Sequence, residues 1–312
     1  MDGLTGTSSR GDAAAQGTTT LHELLSTGDR AAWATAALAL VAGDAGTPEL
    51  RRTAEEVLDA LGILLDTHAA PPVDRAGVAA QAAAPLLQTA ALLTRGDVWA
   101  AQPDEAIIAQ GRASAQGAVA FEQLGLPFMA GLADALSTPG ARMLDVGTGV
   151  AALAASYAEL FPELTVVGID VLPRVLALAG ELLRSSPVAD RVVLREQDVS
   201  GLTDEETFAL AWLPAPFVPE DALRAGVPRI VRSLVPGGWL IVGHGKFAGD
   251  PLDDALTRFK TVSYGGTPLS NEQAQTLLRD AGLVDVTTVP TPMGAPAITV
   301  GRRMPADATR TP

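Results

Sequence analysis

The sequence contains no cysteine, and only three of its 312 residues are histidine. The absence of cysteine excludes disulfides, thiolate metal sites and a cysteine nucleophile. His22, His68 and His244 are far apart in the sequence, so we predict no histidine-rich metal site and no bound metal. Aromatic residues make up only 4% of the chain. We therefore expect alanine, leucine and valine to build the core.

Positive charge is also scarce. Lysine and arginine number 22 against 36 acidic residues, which gives a formal net charge of -14 at pH 7. Nucleic-acid binding needs clustered positive charge, and an anionic membrane surface would repel this chain. The first twenty residues lack the apolar stretch of a signal peptide, and the apolar run 31–43 is too short to span a bilayer. We predict a cytoplasmic protein that binds neither nucleic acid nor membranes.

The apolar pattern changes near residue 140. Before it, alanine- and leucine-rich stretches recur at helical spacing. Thr47, Pro48 and Glu49 have the order typical of a helix N-terminus. Further helices are predicted over residues 21–43, 73–93, 103–124 and 128–136. The predicted parts of the chain are a disordered arm (1–20), a helical N-terminal domain (21–138), a second domain (139–303) and a tail (304–312).

In the second domain, short apolar runs alternate with helical segments. The runs lie at residues 142–146, 165–169, 192–194, 208–213, 239–242, 284–289 and 297–300. Helices are expected between the first five runs and over residues 269–281, with Gly282 as the C-cap. This β-α-β alternation predicts an α/β fold with a mostly parallel sheet. The last two runs have no helix between them, which predicts an antiparallel pair at one edge.

Candidate binding residues follow the first three predicted strands. Gly147 and Gly149 form a tight turn after the first strand, and the next helix would direct its N–H groups to the same place. Asp170 ends the second strand, about twenty residues further on, where an acid often binds ribose hydroxyls. Asp198 follows the third strand. Each feature also has a structural interpretation, as a plain turn or a helix N-cap.

In combination, residues 141–303 resemble class I S-adenosylmethionine-dependent methyltransferases, of the small-molecule, O-methyltransferase-like type. The resemblance rests on four segments: DVGTGVAAL at 145–153, Asp170, QDV at 197–199 and VPGGWLIV at 235–242. It implies a Rossmann-like sheet of seven strands whose last strand is antiparallel, and S-adenosylmethionine as the cofactor. The competing cofactor is NAD, but its G-x-G-x-x-G pattern is incomplete because Ala152 stands at the third glycine position. Ala151 stands where the methyltransferase pattern often has a third glycine.

The resemblance also implies roles for single residues. Asp145, Gly147 and Gly149 would cradle the methionine part of the cofactor. Asp170 would hold the ribose hydroxyls, with Val171 packing on the adenine.

Further implied contacts come from the next two strands. Asp198 would accept a hydrogen bond from the adenine amino group, and Val199 would flank the ring. Trp212 and Leu213 would lie beside the ligand. The segment after the fourth strand, LPAPF at 213–217, lacks the amide of the Asn-Pro-Pro-Tyr found in some amine methyltransferases. Methylation of nucleobases or protein amides is therefore disfavoured.

Few residues are candidates for catalysis. His244 could act as a general base on a substrate hydroxyl, or could instead be a loop histidine that binds backbone. Lys246 could position an acidic substrate or be solvated, and Tyr264 could reach the pocket or belong to the core or surface. Arg112 could pair with the cofactor carboxylate or lie at the surface. An acidic phenol or carboxylate acceptor would need no base at all.

The resulting hypothesis is an S-adenosylmethionine-dependent methyltransferase (EC 2.1.1.-) acting on a small, fairly apolar specialised metabolite, with oxygen as the expected acceptor. Two alternatives remain open. One is a protein of this fold that catalyses a reaction other than methylation, and the other is a non-catalytic partner subunit. We expect a homodimer formed through the helical N-terminal domain, which could also cover the substrate.

Overall fold

In the computed structural model, the described residues are 20–65, 74–95, 99–247, 249–291 and 296–305. The predicted arm, apart from Thr20, and the tail beyond residue 305 lie outside them, as does His68. The α-helices are α1 (Leu21–Ala42), α2 (Pro48–Ala60), α3 (Arg75–Arg95), α4 (Asp104–Ala120), α5 (Leu132–Leu136), α6 (Ala152–Leu160), α7 (Pro173–Leu183), α8 (Glu220–Ser233), α9 (Pro251–Ser263) and α10 (Asn271–Asp280). The strands are β1 (Arg142–Val146), β2 (Thr165–Asp170), β3 (Val192–Glu196), β4 (Phe208–Pro214), β5 (Leu234–His244), β6 (Val284–Val289) and β7 (Ala297–Arg302).

Capping side chains fix the residues at which the first two helices begin. Thr20 and Glu23 form a capping box at the start of α1, so residues 21–42 form one continuous helix. Thr47 accepts a hydrogen bond from the backbone N–H of Leu50, which confirms the N-terminus predicted for α2. The third helix, α3, packs between α1 and α4. By length and composition alone α3 is apolar enough to cross a membrane, a property that core helices of soluble proteins share.

The seven strands form one sheet in the order β3-β2-β1-β4-β5-β7-β6. Strands β1 to β5 pair in parallel, whereas β7 is antiparallel to both of its neighbours. This confirms the predicted sheet and its antiparallel last strand. Two expectations were wrong. The connection from β3 to β4 contains only a 3₁₀ turn at Val199–Gly201, and the unpredicted helix α9 begins at the capping residue Asp250.

Helices cover both faces of the sheet. Alternate strand residues point to opposite faces, so each strand contributes to two apolar layers. Side chains of α5, α6 and α7 pack on one face, which includes Met143 and Ile241. Side chains of α8 and α10 pack on the other, which includes Leu144 and Leu240. The layers leave the carboxyl ends of β1, β2 and β4 as the edge where a ligand can enter.

Helix α4 joins the helical region to that edge. Ile107 of α4 packs with Val150 after β1 and with Val175 of α7. The helix approaches closely because Gly111 faces Val150, where a Cβ atom would collide with the valine side chain. The carboxyl edge of the sheet therefore has a helical cover.

Candidate cofactor site and active site

The turn after β1 has the backbone conformation that glycine permits. Gly147 and Gly149 have φ angles of +62° and +57°. Ala151 has φ +57° as well, an uncommon conformation for alanine, and directly precedes α6. No side chain caps the first turn of α6. The N–H groups of this turn are therefore available to an anionic or polar ligand group.

Asp145 lies beneath this turn. It is buried and accepts a hydrogen bond of 2.6 Å from the Thr148 hydroxyl. The pKa of Asp145 is raised to about 7, chiefly because the carboxyl is buried; the Thr148 hydrogen bond lowers it and the negative charge of Asp170 raises it. A cationic ligand group would favour the charged carboxylate, which suits the ammonium of a bound amino acid.

Asp170 ties the end of β2 to the glycine turn. Its Oδ2 atom accepts a hydrogen bond from the backbone N–H of Gly149, and Oδ1 accepts one from Leu172, both at 3.0 Å. Burial raises its pKa, while hydrogen bonds from these backbone N–H groups lower it. The adjacent side chain of Val171 is exposed. Asp170 therefore holds the shape of the turn, and Val171 offers an open apolar surface for a ring.

The residues after β3 face in different directions. Asp198 is exposed, and its Oδ1 atom accepts a hydrogen bond of 2.7 Å from Ser200 N–H, so its structural role is an N-cap. Its second carboxylate oxygen has room for a ligand donor. Val199 is buried, packing against Gly226 of α8. The expected contact between the Val199 side chain and the adenine ring is therefore not supported, because that side chain belongs to the core.

At the end of β4, neighbouring side chains also point in different directions. The half-buried Trp212 pairs in register with Asp145 and packs against Gly243 on β5. Leu213 is fully buried in the opposite layer. Successive strand residues point to opposite faces, so only Trp212 lies on the side of Asp145. The expected place of Leu213 beside the ligand is not supported.

The contacts of His244 argue against its predicted role as a general base. It is fully buried at the end of β5, with Nδ1 3.0 Å from the Gly245 carbonyl oxygen and Nε2 2.8 Å from the Thr299 hydroxyl. Burial lowers its pKa. Both ring nitrogens are used within the protein, which favours the alternative of a structural histidine. Lys246 donates to the carbonyl oxygen of Thr291 at 2.9 Å.

Three aromatic side chains from separate elements meet near the end of β4. We call Trp99, Phe217 and Tyr264 the aromatic cluster. The Phe217 and Tyr264 rings stack at 4.9 Å with 12° between their planes, and Trp99 meets both edge-on at 4.9 and 5.6 Å. Of these three residues, only Tyr264 was predicted from the sequence as a candidate. Trp99 and Phe217 are separated by more than a hundred residues, so no local pattern connected them.

A chain of hydrogen bonds continues from the aromatic cluster into the helical cover. The Tyr264 hydroxyl donates to Gln88 Oε1 at 2.7 Å, Gln88 Nε2 donates to Gln110 Oε1 at 2.7 Å, and Gln110 Nε2 donates to Ser114 Oγ at 3.0 Å. We call these four residues the polar chain. Burial raises the pKa of Tyr264, so its hydroxyl stays protonated. Since that proton is used toward Gln88, the Tyr264 oxygen remains an acceptor for a ligand donor.

Arg112 lies on a different side of α4 from the polar chain. Two residues along a helix are about 200° apart, so Gln110 and Arg112 face opposite ways. Arg112 is exposed and lines a cavity of about 380 Å³ that Val150 and Ala151, directly before α6, and the outer surfaces of α6 and α7 also border. The expected pairing of Arg112 with the cofactor carboxylate stays a prediction. Among the described residues, no cluster of three or more His, Asp or Glu could hold a metal ion.

Comparison with known proteins identifies a methyltransferase domain in this part of the chain. Residues 143–238 match the family model described as a methyltransferase domain. Two curated relatives are both named release factor glutamine methyltransferase. The protein from Rhodopirellula baltica is 29% identical over 106 residues, which cover 34% of this chain and 36% of the relative. The protein from Koribacter versatilis is 25% identical, with 38% of this chain and 53% of the relative covered. This chain spans about a third and about half of their lengths.

Solved structures share the fold over nearly the whole chain. An O-methyltransferase family protein from Burkholderia thailandensis has a TM-score of 0.60 at 17% identity and covers 93% of this chain and 100% of its own. Human N-acetylserotonin methyltransferase, solved with S-adenosylmethionine, has a TM-score of 0.59 at 14% identity, and the match covers 93% of this chain and 99% of the human protein. Mitomycin 7-O-methyltransferase has a TM-score of 0.58 at 19% identity, and the match covers 91% of this chain and 96% of that protein. The predicted class I methyltransferase fold is confirmed, and the match to the methyltransferase domain supports S-adenosylmethionine as the cofactor of this domain.

Proposed function

We propose that this protein transfers a methyl group from S-adenosylmethionine to an oxygen atom of a small, fairly apolar molecule, such as a specialised metabolite. The observation that carries the proposal is the aromatic cluster of Trp99, Phe217 and Tyr264 at the end of β4. Aromatic faces bind planar apolar molecules well, and the Tyr264 oxygen adds one acceptor that orients a hydroxyl. Gln88 and Gln110 of the helical cover fix the direction of the Tyr264 hydroxyl.

The residues around the glycine turn fit the cofactor. Asp145 offers a carboxyl whose raised pKa responds to a cation, and the uncapped N-terminus of α6 offers N–H groups to a carboxylate. Asp170, Val171 and Asp198 would hold the nucleoside through carboxylate oxygens and an exposed apolar side chain. When bound, S-adenosylmethionine supplies an electrophilic methyl group, so an oxygen–carbon bond forms as the sulfur–carbon bond breaks.

The acceptor oxygen must lose its proton with little help from the protein. His244 uses both ring nitrogens internally, and the Tyr264 hydroxyl is protonated. A carboxylic acid is ionised near neutral pH, and a phenol made acidic by its ring substituents is partly ionised, so either can release its proton to water. The protein then contributes mainly by holding the acceptor in line with the methyl group.

Two other acceptor classes fit the chain less well. The curated relatives are named for glutamine methylation, yet the β4 end of this chain reads Leu-Pro-Ala-Pro-Phe at 213–217 and offers no side-chain amide to orient a planar nitrogen. The net charge of -14 disfavours nucleic acid. A small neutral or weakly acidic acceptor is consistent with both features.

We also propose that the protein is a cytoplasmic homodimer assembled through its helical region. Supporting this, α1 exposes Leu21, Leu24, Leu25 and Trp33, and Trp33 is 70% exposed. Apolar side chains grouped on one exposed helix favour burial against a second copy. Light scattering during gel filtration tests the dimer, with Leu24→Asp as the disrupting variant. A monomeric wild-type protein at micromolar concentration would contradict it.

Calorimetric titration with S-adenosylmethionine and S-adenosylhomocysteine tests the proposed function first. We expect wild-type protein to bind both and Asp170→Ala to lose binding. The enzyme is then incubated with methyl-labelled S-adenosylmethionine and a panel of phenols, aromatic acids and amines, and products are analysed by mass spectrometry. Label on a carbon or nitrogen, or binding without any labelled product across phenols, acids and amines, would refute O-methylation.

A further inference from the structure

Gln102 has an unpaired buried oxygen. The residue is 3% exposed, and its Oε1 atom has no hydrogen-bond partner among the described residues. Buried amide oxygens nearly always have a partner, because an unpaired one loses the hydrogen bonds that water gives it in the unfolded chain. An amide oxygen is only an acceptor. A group that satisfies it must therefore supply an N–H or an O–H.

The backbone of Gln102 is fixed against the first turn of α7. Its carbonyl oxygen accepts a hydrogen bond of 2.8 Å from Arg174 Nη2, and the same guanidinium pairs with Asp104. Its N–H donates to the carbonyl oxygen of Trp99 at 3.0 Å. Because α7 begins three residues after Asp170, Gln102 is held between the aromatic cluster and the loop that follows β2.

Gln102 also lines a cavity. Together with Ala100, Ala101 and Arg174 it borders a space of about 540 Å³. Binding sites for small molecules commonly have volumes of about 300–1,000 Å³. The unpaired acceptor therefore belongs to a residue on the wall of a space that is large enough for part of a ligand.

We propose that Gln102 is a further cofactor-binding residue, whose Oε1 atom accepts a hydrogen bond from the adenosine half of S-adenosylmethionine. This inference rests on the proposed function. The ribose hydroxyls and the adenine amino group are donors of the required kind. Asp170, the predicted ribose partner, already accepts hydrogen bonds from Gly149 and Leu172, so a second neutral acceptor nearby complements it. The Gln102 carbonyl oxygen is bound by Arg174 in the first turn of α7, the helix that follows Asp170 and Val171, which favours adenosine over the methionine part.

The Gln102→Met variant tests this inference, because methionine keeps the shape of the side chain and removes the acceptor. We expect Kd for S-adenosylhomocysteine and for adenosine, measured by calorimetric titration, to rise about three- to tenfold, the effect of one lost hydrogen bond. The melting temperature of the ligand-free variant should stay equal or rise, because an unpaired buried oxygen is removed. Gln116→Met, on the outward side of α4 and bonded to Asp74, is the matched control and should leave both Kd values unchanged.

Three results would overturn the inference. The first is a Gln102→Met variant with wild-type affinity for both ligands. The second is a lower melting temperature of that variant, which would reveal a structural partner. The third is weaker binding of S-adenosylhomocysteine with unchanged binding of adenosine, which would place the donor in the amino-acid half. Failure of the proposed function is distinguishable, because it appears in the wild-type protein, as a missing or misplaced methyl label or as binding of neither ligand, and not in the comparison of Gln102→Met with wild type.

Discussion

Replacing Asp145 by asparagine removes a buried carboxyl whose pKa is raised to about 7, chiefly by burial. An aspartate in the unfolded chain titrates near pH 3.9. Between about pH 4 and pH 7 the folded protein therefore keeps a proton that the unfolded chain has lost. The free energy of unfolding falls as pH rises through this range, by about 1.4 kcal/mol per pH unit, and the loss is complete above pH 7.

Urea denaturation of both ligand-free proteins at pH 5.5, 6.5 and 7.5 measures this effect. Asparagine keeps an acceptor for the Thr148 hydroxyl and has no proton to lose. We expect the wild-type protein to lose about 2 kcal/mol of unfolding free energy relative to Asp145→Asn between pH 5.5 and pH 7.5. Asp170, with a raised pKa, and His244, with a lowered one, titrate in both proteins. The difference between the two proteins removes their contribution.

The reasoning is refuted if the two stability curves run parallel from pH 5.5 to pH 7.5, since Asp145 would then be ionised in the folded protein throughout. A second readout comes from the cofactor. If the ammonium group lies near Asp145, binding of S-adenosylhomocysteine at pH 6 should release a proton. Titrations in buffers with different ionisation enthalpies measure that proton, and the Asp145→Asn variant should not release it.

Three further substitutions have defined outcomes. Ala151→Gly should raise the free energy of unfolding by about 1 kcal/mol, because a left-handed φ of +57° strains alanine; an unchanged melting temperature would contradict this. Gly111→Ala should lower both the melting temperature and the affinity for S-adenosylhomocysteine, because the new Cβ atom meets Val150 beside the glycine turn, and wild-type affinity would argue against this coupling. Tyr264→Phe should lower the free energy of unfolding in urea by about 1 kcal/mol, since the oxygen of Gln88 loses its donor, while S-adenosylhomocysteine affinity stays unchanged.

Most of the sheet could be predicted because the positions of its strands follow from the local pattern of apolar residues. Apolar runs separated by helical segments marked all seven strands, and the missing helix between β6 and β7 marked the antiparallel pair. Helix α9 was not predicted although Leu252, Leu256 and Phe259 recur at helical spacing, and in the structure these three side chains are exposed. The helix predicted between β3 and β4 was wrong because Asp198 caps only a 3₁₀ turn.

Predictions for the site show the same contrast between local backbone conformation, which the sequence indicates, and side-chain direction, which it does not. Gly147, Gly149 and Asp170 lie where the turn needs them, because positive φ angles and backbone hydrogen bonds follow from local sequence. The direction of a side chain depends on the pleat and on distant partners. Leu213 and Val199 therefore belong to the core although they follow the expected strands.

The helical region and the sheet are joined by contacts that also shape the site. The Tyr264 hydroxyl reaches Gln88 on α3 across 176 residues of sequence, and the Arg174 guanidinium of α7 reaches the carbonyl oxygen of Gln102 before α4. The residues that fit the cofactor come mainly from the sheet, whereas Trp99 and the polar chain come from or depend on the helical cover. Substrate choice should therefore follow changes in the polar chain on α3 and α4. Cofactor affinity should follow changes in the loops after β1 and β2 and in residues that pack on them, such as Gly111.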